Sequence, residues 1–287
     1  MTDTLLILAG GRSSRMKKSN ATENLSKKEI EAANQKTKGM IELNSRPFMD
    51  YIIHNAQKAG IKNIIIITCE DSSDIREFYG KKDVENNFYN MKITYAVQYI
   101  PEVRDKPFGT ADAVLQAMEQ VPTLKTKTFL VCNCDNLYSI KGFKELVELK
   151  TPNGWLNYDR DGLIFPAKQV EDFAITSVNN DGYLLDIIEK PSKEDVEKFS
   201  DAKGIVRVSM NIFKFDGNIF FKYVKNCPVN PKRNEKELPT AILNMVKDHP
   251  KSMYGVPICE HVPDLTRKED IATVKKYLKA NNFNFNW

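Results

Sequence analysis

Leu5-Leu6-Ile7-Leu8-Ala9-Gly10-Gly11-Arg12-Ser13-Ser14-Arg15 stands almost at the first residue of the chain. Four consecutive apolar side chains read as a short strand buried on both faces, since a half-exposed strand would alternate. Ala9, Gly10 and Gly11 break that run. Lacking Cβ atoms, the two glycines let the backbone approach a ligand closely and can supply a positive φ. Arg12 and Arg15 then place two guanidinium forks, and Ser13 and Ser14 two hydroxyls, on the same loop. Strand, glycine turn and cationic loop together suit a phosphate, held by backbone N–H groups and fixed positive charge. The pattern is neither the P-loop nor the dinucleotide fingerprint. A glycine turn after a strand is also common for structural reasons alone, so the rest of the chain has to decide.

At 287 residues there is length for one large α/β domain or two smaller ones. A net charge of +4 is too small for a nucleic-acid binder that relies on bulk electrostatics, but it permits a local basic pocket. The opening MTDTLLILAGG has no basic segment, and no stretch approaches ~18 apolar residues, so neither a signal peptide nor a membrane span is expected. Cys69, Cys132, Cys134, Cys227 and Cys259 are scattered, which suits a reducing cytoplasm. Cys132 and Cys134 flank Asn133 on an apolar strand, where core packing accounts for them better than a metal site.

Further along, 17–37 is polar and reads as a surface insertion or flap. Ser26 and Glu29 predict a capping box for a short helix over 26–33. Its lysines either face solvent or reach toward a bound polyanion. Lys38 stands apart because it enters the next apolar element directly from a loop. Pro47 marks a helix start, Phe48, Tyr51, Ile52, Ala56 and Ala59 follow at helical spacing, and Gly60 ends the helix before a strand over 61–68. Strand, helix, strand predicts a βαβ unit with a parallel pair. The strand over 93–97 ends in Gln98, and Gly109 and Thr110 come eleven and twelve residues later, with Thr110 capping a helix. A planar amide at a strand end can pair with the polar edge of a nucleobase, and a nearby glycine lets backbone reach that base. The strand over 128–134 ends in Asp135-Asn136. An aspartate beyond a strand's carboxyl end is a natural Mg²⁺ ligand, although turns and helix caps use the same residues. The second half predicts short strands over 163–166, 174–178, 184–188 and 206–215, with a hairpin turn at 179–182. Helices follow from Pro239 and over about 267–280, while the tail NNFNFNW is left undecided between packing and trailing.

In that order the motifs resemble the sugar-1-phosphate nucleotidyltransferases, the enzymes that make nucleotide sugars on a Rossmann-like fold. LAGGRSSRM is similar to the family's opening signature, including Leu8, Ala9, Gly10 and Gly11. KGMIEL with RPFMDY is similar to its lysine-bearing second element. Gln98 with GTADAV resembles the base-recognition pair, CNCDN the metal-binding strand end, EKP and SMNIF the sugar-phosphate side, and DLTRKED the segment with a second metal ligand. The spacings from Arg15 to Lys38 and from Gln98 to Gly109 exceed the family's usual ones, and DLTRKED is the loosest match.

The resemblance implies an α/β fold with a mixed, mostly parallel central sheet flanked by helices and a smaller β-rich part in the second half. It implies one domain over 1–287, with the sugar-phosphate part at about 155–215 and a C-terminal helix and tail at 266–287. The implied reaction joins a nucleoside triphosphate to a sugar 1-phosphate, releasing pyrophosphate, with Mg²⁺ as cofactor and no nucleic-acid or membrane partner. Gly10, Gly11, Arg15 and Lys38 would hold the triphosphate. Gln98, Gly109 and Thr110 would take the base, Asp135 and Asp264 the metal, Lys190 the sugar phosphate, and Glu189 and Asn211 the sugar hydroxyls. GTA after the glutamine resembles the uridylyl-transferring members and favours UTP. A freely turning amide would also accept cytosine, which keeps CTP as a competitor. Two alternatives stand beside this reading: a cytidylyltransferase for a non-sugar phosphate such as phosphocholine, and a catalytically silent nucleotide-sugar sensor.

Overall fold

Apolar runs bounded by polar turns set the strand pattern of this chain. In chain order the strands are β1 (Thr4–Leu8), β2 (Glu42–Leu43), β3 (Arg46–Pro47), β4 (Asn63–Thr68), β5 (Asn86–Phe88), β6 (Met91–Val97), β7 (Thr128–Asn133), β8 (Asn153–Asp159), β9 (Ile175–Val178), β10 (Leu184–Ile188), β11 (Arg207–Asp216) and β12 (Met253–Ile258). The computed structural model describes residues 2–285 except 22, 24, 172, 201, 202, 282 and 284, with the backbone alone at 167 and 168. The main sheet runs β10-β9-β11-β7-β1-β4-β6-β5, with β8 joining β11 to β12. β7, β1, β4 and β6 are parallel neighbours. β11 lies antiparallel to β7 and carries the sheet into the second half. The expected α/β class holds, and the β-rich second half continues the same sheet.

Both faces of β1, β4 and β7 are covered, which is why their sequences run largely apolar without alternation, whereas β6, nearer the sheet edge, alternates through Lys92 and Thr94. Leu5, Ile7, Ile64 and Ile66 point into one core, beneath the helices Phe48–Lys58, Ile140–Glu148 and Asp270–Ala280. Leu6, Ile65 and Ile67 point into the other, beneath Thr110–Gln120, Gly217–Lys225 and Leu238–Asp248. The helix from Ser26 appears as Lys27–Gln35 with its capping box, and Gly60 takes φ 100 after the helix it ends. The hairpin turn at Asn179–Gly182 closes β9 onto β10. Phe283 and Phe285 of the tail meet Tyr51 edge-on, while Asn286 and Trp287 lie outside the described residues.

Residues 163–166 do not form the expected strand. The chain leaves β8 through a tight turn at Arg160–Gly162, the Leu163 N–H bonds back to the Arg160 carbonyl, and Pro166 has no N–H to give a ladder. The strand is instead β8 itself, whose glycine and asparagines hide it from propensity. β12 was equally illegible because it contains Gly255 and Pro257. Among the named strands it pairs with β8 only, its other side meeting just the hairpin turn through the Tyr183–Tyr254 bridge. Pro257 lies beyond that short contact, and a Cβ at Gly255 would strike the Trp155 ring.

Gly217 begins the helix after β11 and donates its N–H to the Lys127 carbonyl at 3.0 Å. A Cβ there would collide with the Leu124 carbonyl, which belongs to the turn leading into β7. Gly217→Ala is expected to cost about 2–3 kcal/mol of unfolding free energy in urea titration. A loss below about 0.5 kcal/mol, the size of an ordinary surface change, would contradict this packing.

Candidate active site

Parallel strands deliver their carboxyl ends to one edge of the sheet, where open α/β sheets bind ligands. The ladder runs one bond further there. Ala9 N–H reaches the Ile67 carbonyl at 2.8 Å, and Gln98 N–H reaches the Thr68 carbonyl at 2.8 Å. The residues after β1, β6 and β7 therefore start side by side. A cleft of about 430 Å³ opens over them, lined by Leu8, Gly10, Gly11, Arg15, Lys38, Gln98, Gly109, Thr110 and Asp135. Ala9 lies beneath it, buried.

The glycine pair acts by close approach and not by positive φ. Neither glycine takes a positive φ; Ser13 does so instead, at φ 54, to enter the short helix Ser14–Lys18. A Cβ on Gly10 would stand 3.3 Å from the Thr68 carbonyl carbon, a tight contact that β4 would have to yield to by a few tenths of an ångström, whereas Gly11 faces open space. Arg15 is exposed at the cleft and makes no ion pair among the described residues.

Lys38 enters from a tight turn over Lys38–Met40 that Gly39 presses onto the end of β7. A Cβ on Gly39 would sit 3.3 Å from the Cys134 Cβ. The turn brings the Lys38 ammonium to 2.7 Å from an Asp135 carboxylate oxygen, with both side chains largely buried. Burial opposes the charge on Lys38, yet the carboxylate overrides it and holds the ammonium's pKa above its ordinary value. Asp264 arrives beside Asp135 because Asn136 and Asp264 form an antiparallel bridge, secured by Leu265 N–H to the Asp135 carbonyl at 2.8 Å. Burial, and then repulsion from Asp135, push the Asp264 carboxyl up to about 7. Lys268, four residues on, donates its ammonium to the carbonyls of Lys17 and Ser19, which ties the Asp264 segment to the helix bearing Arg15.

Among the described residues no group of three or more His, Cys, Asp or Glu side chains gathers as a self-sufficient metal cage. Two carboxylates suit a Mg²⁺ that keeps waters and takes its other ligands from phosphate oxygens. The repelling pair Asp135 and Asp264 is such a donor set, all oxygen and short of one positive charge. Cys132 and Cys134 stay in the core; burial, then the Asp135 charge, push the Cys134 thiol up to about 12.

At the far end of the cleft, Gln98 donates from Nε2 to the Gly109 carbonyl at 3.0 Å and to the Asp112 carboxylate at 2.9 Å. The expectation of a freely turning amide is therefore corrected, because both acceptors require the nitrogen. Thr110 is not the helix cap: Gly109 occupies that position at φ 106, and the Thr110 hydroxyl accepts from Leu238 N–H at 3.0 Å. Glycine is needed there because a Cβ would strike the Lys236 carbonyl.

The sugar-side candidates fall outside the cleft wall. Glu189 pairs with Arg233 at 2.8 Å, and Arg233 also pairs with Glu237. Lys190 is exposed at φ 52. Asn211 is exposed at φ 57, on a bulge of β11 that by register sits beside Asn133. Its carbonyl and that of Met210 accept from the Tyr138 hydroxyl. Sequence reasoning missed Lys106, which lines the cleft, pairs with Glu235 at 2.7 Å and lies within the lengthened Gln98–Gly109 spacing. It also missed Arg233, whose position follows from chain reversal and carries no local signal.

Insertion residues Lys28 and Lys36 both pair with Glu42, and Glu29 pairs with Lys275. Among the described residues none of the insertion lysines lines the cleft.

The family model described as nucleotidyl transferase matches residues 4–285. The chain is 22% identical over 249 residues to the bifunctional protein GlmU of Staphylococcus epidermidis, covering 86% of this chain and 46% of that protein. It is 23% identical over 287 residues to a glucose-1-phosphate adenylyltransferase of Rhizobium radiobacter, covering 96% of this chain and 63% of that one. The chain thus spans about half the length of the GlmU proteins it matches. A crystal structure from Bacillus anthracis assigned as a glucose-1-phosphate thymidylyltransferase, in complex with sucrose, superposes with a TM-score of 0.67 at 19% identity, covering 99% of this chain and 97% of that one.

Because Asp264 titrates near 7 in the folded chain and near 3.8 when unfolded, its ionisation works against folding. The cost is absent below the unfolded pKa, grows as pH rises from about 4, and is complete above about 7. Asp264→Asn in metal-free buffer should therefore raise the melting temperature more at pH 8 than at pH 5. An equal shift at both pH values would contradict the assignment.

Proposed function

We propose, for a chain that belongs to the nucleotidyl transferase family, that it joins UTP to a sugar 1-phosphate and releases pyrophosphate. The observation that carries this reading is the meeting of Arg15, Lys38 and Asp135 in the cleft over the ends of adjacent parallel strands, with Asp264, which does not line the cleft, held beside Asp135 by the Asn136 bridge. An anionic phosphate oxygen of the sugar 1-phosphate attacks the α-phosphorus. The bond from that phosphorus to the bridging oxygen breaks, and pyrophosphate leaves with the electron pair. The attacking oxygen carries no proton near neutral pH, so no general base is required. His54, His249 and His261 need no part in the step. What the step does require is alignment of two polyanions and neutralisation of their charge.

Arg15 and Lys38 would hold the triphosphate above Gly10 and Gly11. Asp135 and Asp264 would hold Mg²⁺, which when bound neutralises phosphate oxygens and polarises the α-phosphorus. Lys190 would anchor the sugar phosphate, with Glu189 and Asn211 on the sugar hydroxyls. Gln98 and Gly109 would take the base. The relatives bear names with different nucleotides, so the choice of UTP rests on the uridylyl-like GTA segment and on the Gln98 geometry. The described cysteines are all unpaired, in keeping with a reducing cytoplasm, and no helix is long and apolar enough to cross a membrane.

Pyrophosphate release with Mg²⁺, UTP and sugar 1-phosphates tests the reaction. Asp135→Asn should lower kcat by ~10²–10³ with a cooperative melt retained; activity within a few-fold of wild type would remove Asp135 from the metal site. Arg15→Ala should impair use of the nucleotide, whereas Lys190→Ala should raise KM for the acceptor phosphate. Loss of nucleotide binding in the Lys190 variant, with the acceptor KM unchanged, would overturn this division of the site.

A further inference from the structure

We infer that Asp112, which does not line the cleft, sets the choice of nucleobase by locking the amide of Gln98; the inference rests on the nucleotide-binding reading of the cleft. Gln98 and Asp112 are both buried, at 4% and 7% exposure. A primary amide carries two N–H bonds on nitrogen and lone pairs on oxygen. Both Nε2 hydrogens of Gln98 are taken, by the Gly109 carbonyl at 3.0 Å and by Asp112 Oδ2 at 2.9 Å. A backbone carbonyl and a carboxylate oxygen are acceptors, so turning the amide over would set oxygen against oxygen twice. Among the described residues no hydrogen bond uses Gln98 Oε1, and that atom lies on the Gly10 side, 3.4 Å from where a Gly10 Cβ would stand. The cleft therefore offers the base an acceptor and no amide donor.

Asp112 is itself held. The same Oδ2 accepts from Gln116 Nε2 at 2.9 Å, and Gln116 is fixed by both backbone groups of Tyr99: its Oε1 accepts the Tyr99 N–H at 2.9 Å and its Nε2 donates to the Tyr99 carbonyl at 3.1 Å. Gln120, one turn further on the same face, clips Val97 in the same way. The helix Thr110–Gln120 thus carries a polar ruler at four-residue spacing that binds the end of β6 and sets the direction of the Gln98 side chain just beyond it.

An acceptor in that place favours a base that turns a ring N–H toward it. Uracil and thymine have that N–H at N3. Cytosine has a lone pair at the same ring position, which would face Oε1 unfavourably. Asp112 is accordingly a positioning residue for specificity, acting through Gln98 and not on the reacting phosphates.

The test compares kcat/KM for UTP and CTP in wild type, Asp112→Ala and Asp112→Asn, with the same sugar 1-phosphate. Asp112→Ala frees the amide to turn, and the UTP-to-CTP ratio should fall by about tenfold or more, through KM for the nucleotide and with the acceptor KM unchanged. Asp112→Asn keeps an acceptor oxygen and should retain most of the wild-type ratio. An unchanged ratio in the alanine variant overturns the inference, as does equal loss in both variants, which would assign the effect to charge. Calorimetric binding of UTP and of N3-methyl-UTP to wild type needs no variant to fold: the methylated nucleotide should bind at least about tenfold more weakly, and equal binding overturns the inference. Wild type that neither binds nor turns over any nucleoside triphosphate would instead defeat the reading of the cleft on which the inference rests.

Discussion

The 2.7 Å contact between Lys38 and Asp135 is the constraint around which the site is arranged. Two largely buried charges are costly to desolvate and become strongly destabilising when one partner is removed, so each fixes the other's place. The contact joins the tight turn after the insertion to the end of the central strand β7. Gly39 permits the approach, and the bridge between Asn136 and Asp264 adds a second carboxylate beside the first. Lys38 satisfies one carboxylate of the two. The second carboxylate is left uncompensated: burial, and then repulsion from Asp135, keep the Asp264 carboxyl from ionising until about pH 7. In the proposed reaction that unbalanced charge is where a divalent cation gains the most.

A second connection links the two ends of the site. The segment from Asn230 to Glu237 holds Lys106 through Glu235 and holds Glu189 through Arg233. The Lys236 carbonyl receives Ala111 N–H, and Leu238 N–H reaches Thr110, so the segment also seats the start of the helix beneath the base-side loop. One stretch of chain thus touches the elements assigned to nucleotide and to sugar, which gives a physical route for their mutual placement.

Much of the cleft wall was legible because it sits directly after the parallel strands. Gly10 and Asp135 come at the ends of β1 and β7, Gln98 follows the more mixed β6, and parallel pairing places these strand ends together without further information. Lys38 was legible for a related reason, as a lone cation entering an apolar element from a polar loop. The orientation of Gln98 was not legible, since it depends on a carboxylate fourteen residues later that helical spacing turns toward it. Thr110 misled because a hydroxyl at a helix start usually caps its own helix, whereas here it serves Leu238. β8 and β12 escaped notice since glycine, asparagine and proline depress strand propensity, while tertiary packing around Trp155 overrides it. Glu189, Lys190 and Asn211 were named through family resemblance alone. Their places follow from a left-handed residue after β10 and a bulge in β11, neither of which has a firm local signature.

The most direct test is the mass of the product formed when the purified protein is given Mg²⁺, ATP, GTP, CTP, UTP and dTTP at equal concentration together with a panel of sugar 1-phosphates. The account predicts a UDP-sugar as the main product, with some dTDP-sugar because uracil and thymine differ by one methyl group. Failure to form any nucleotide sugar, or a dominant product built on a non-sugar phosphate, would contradict it.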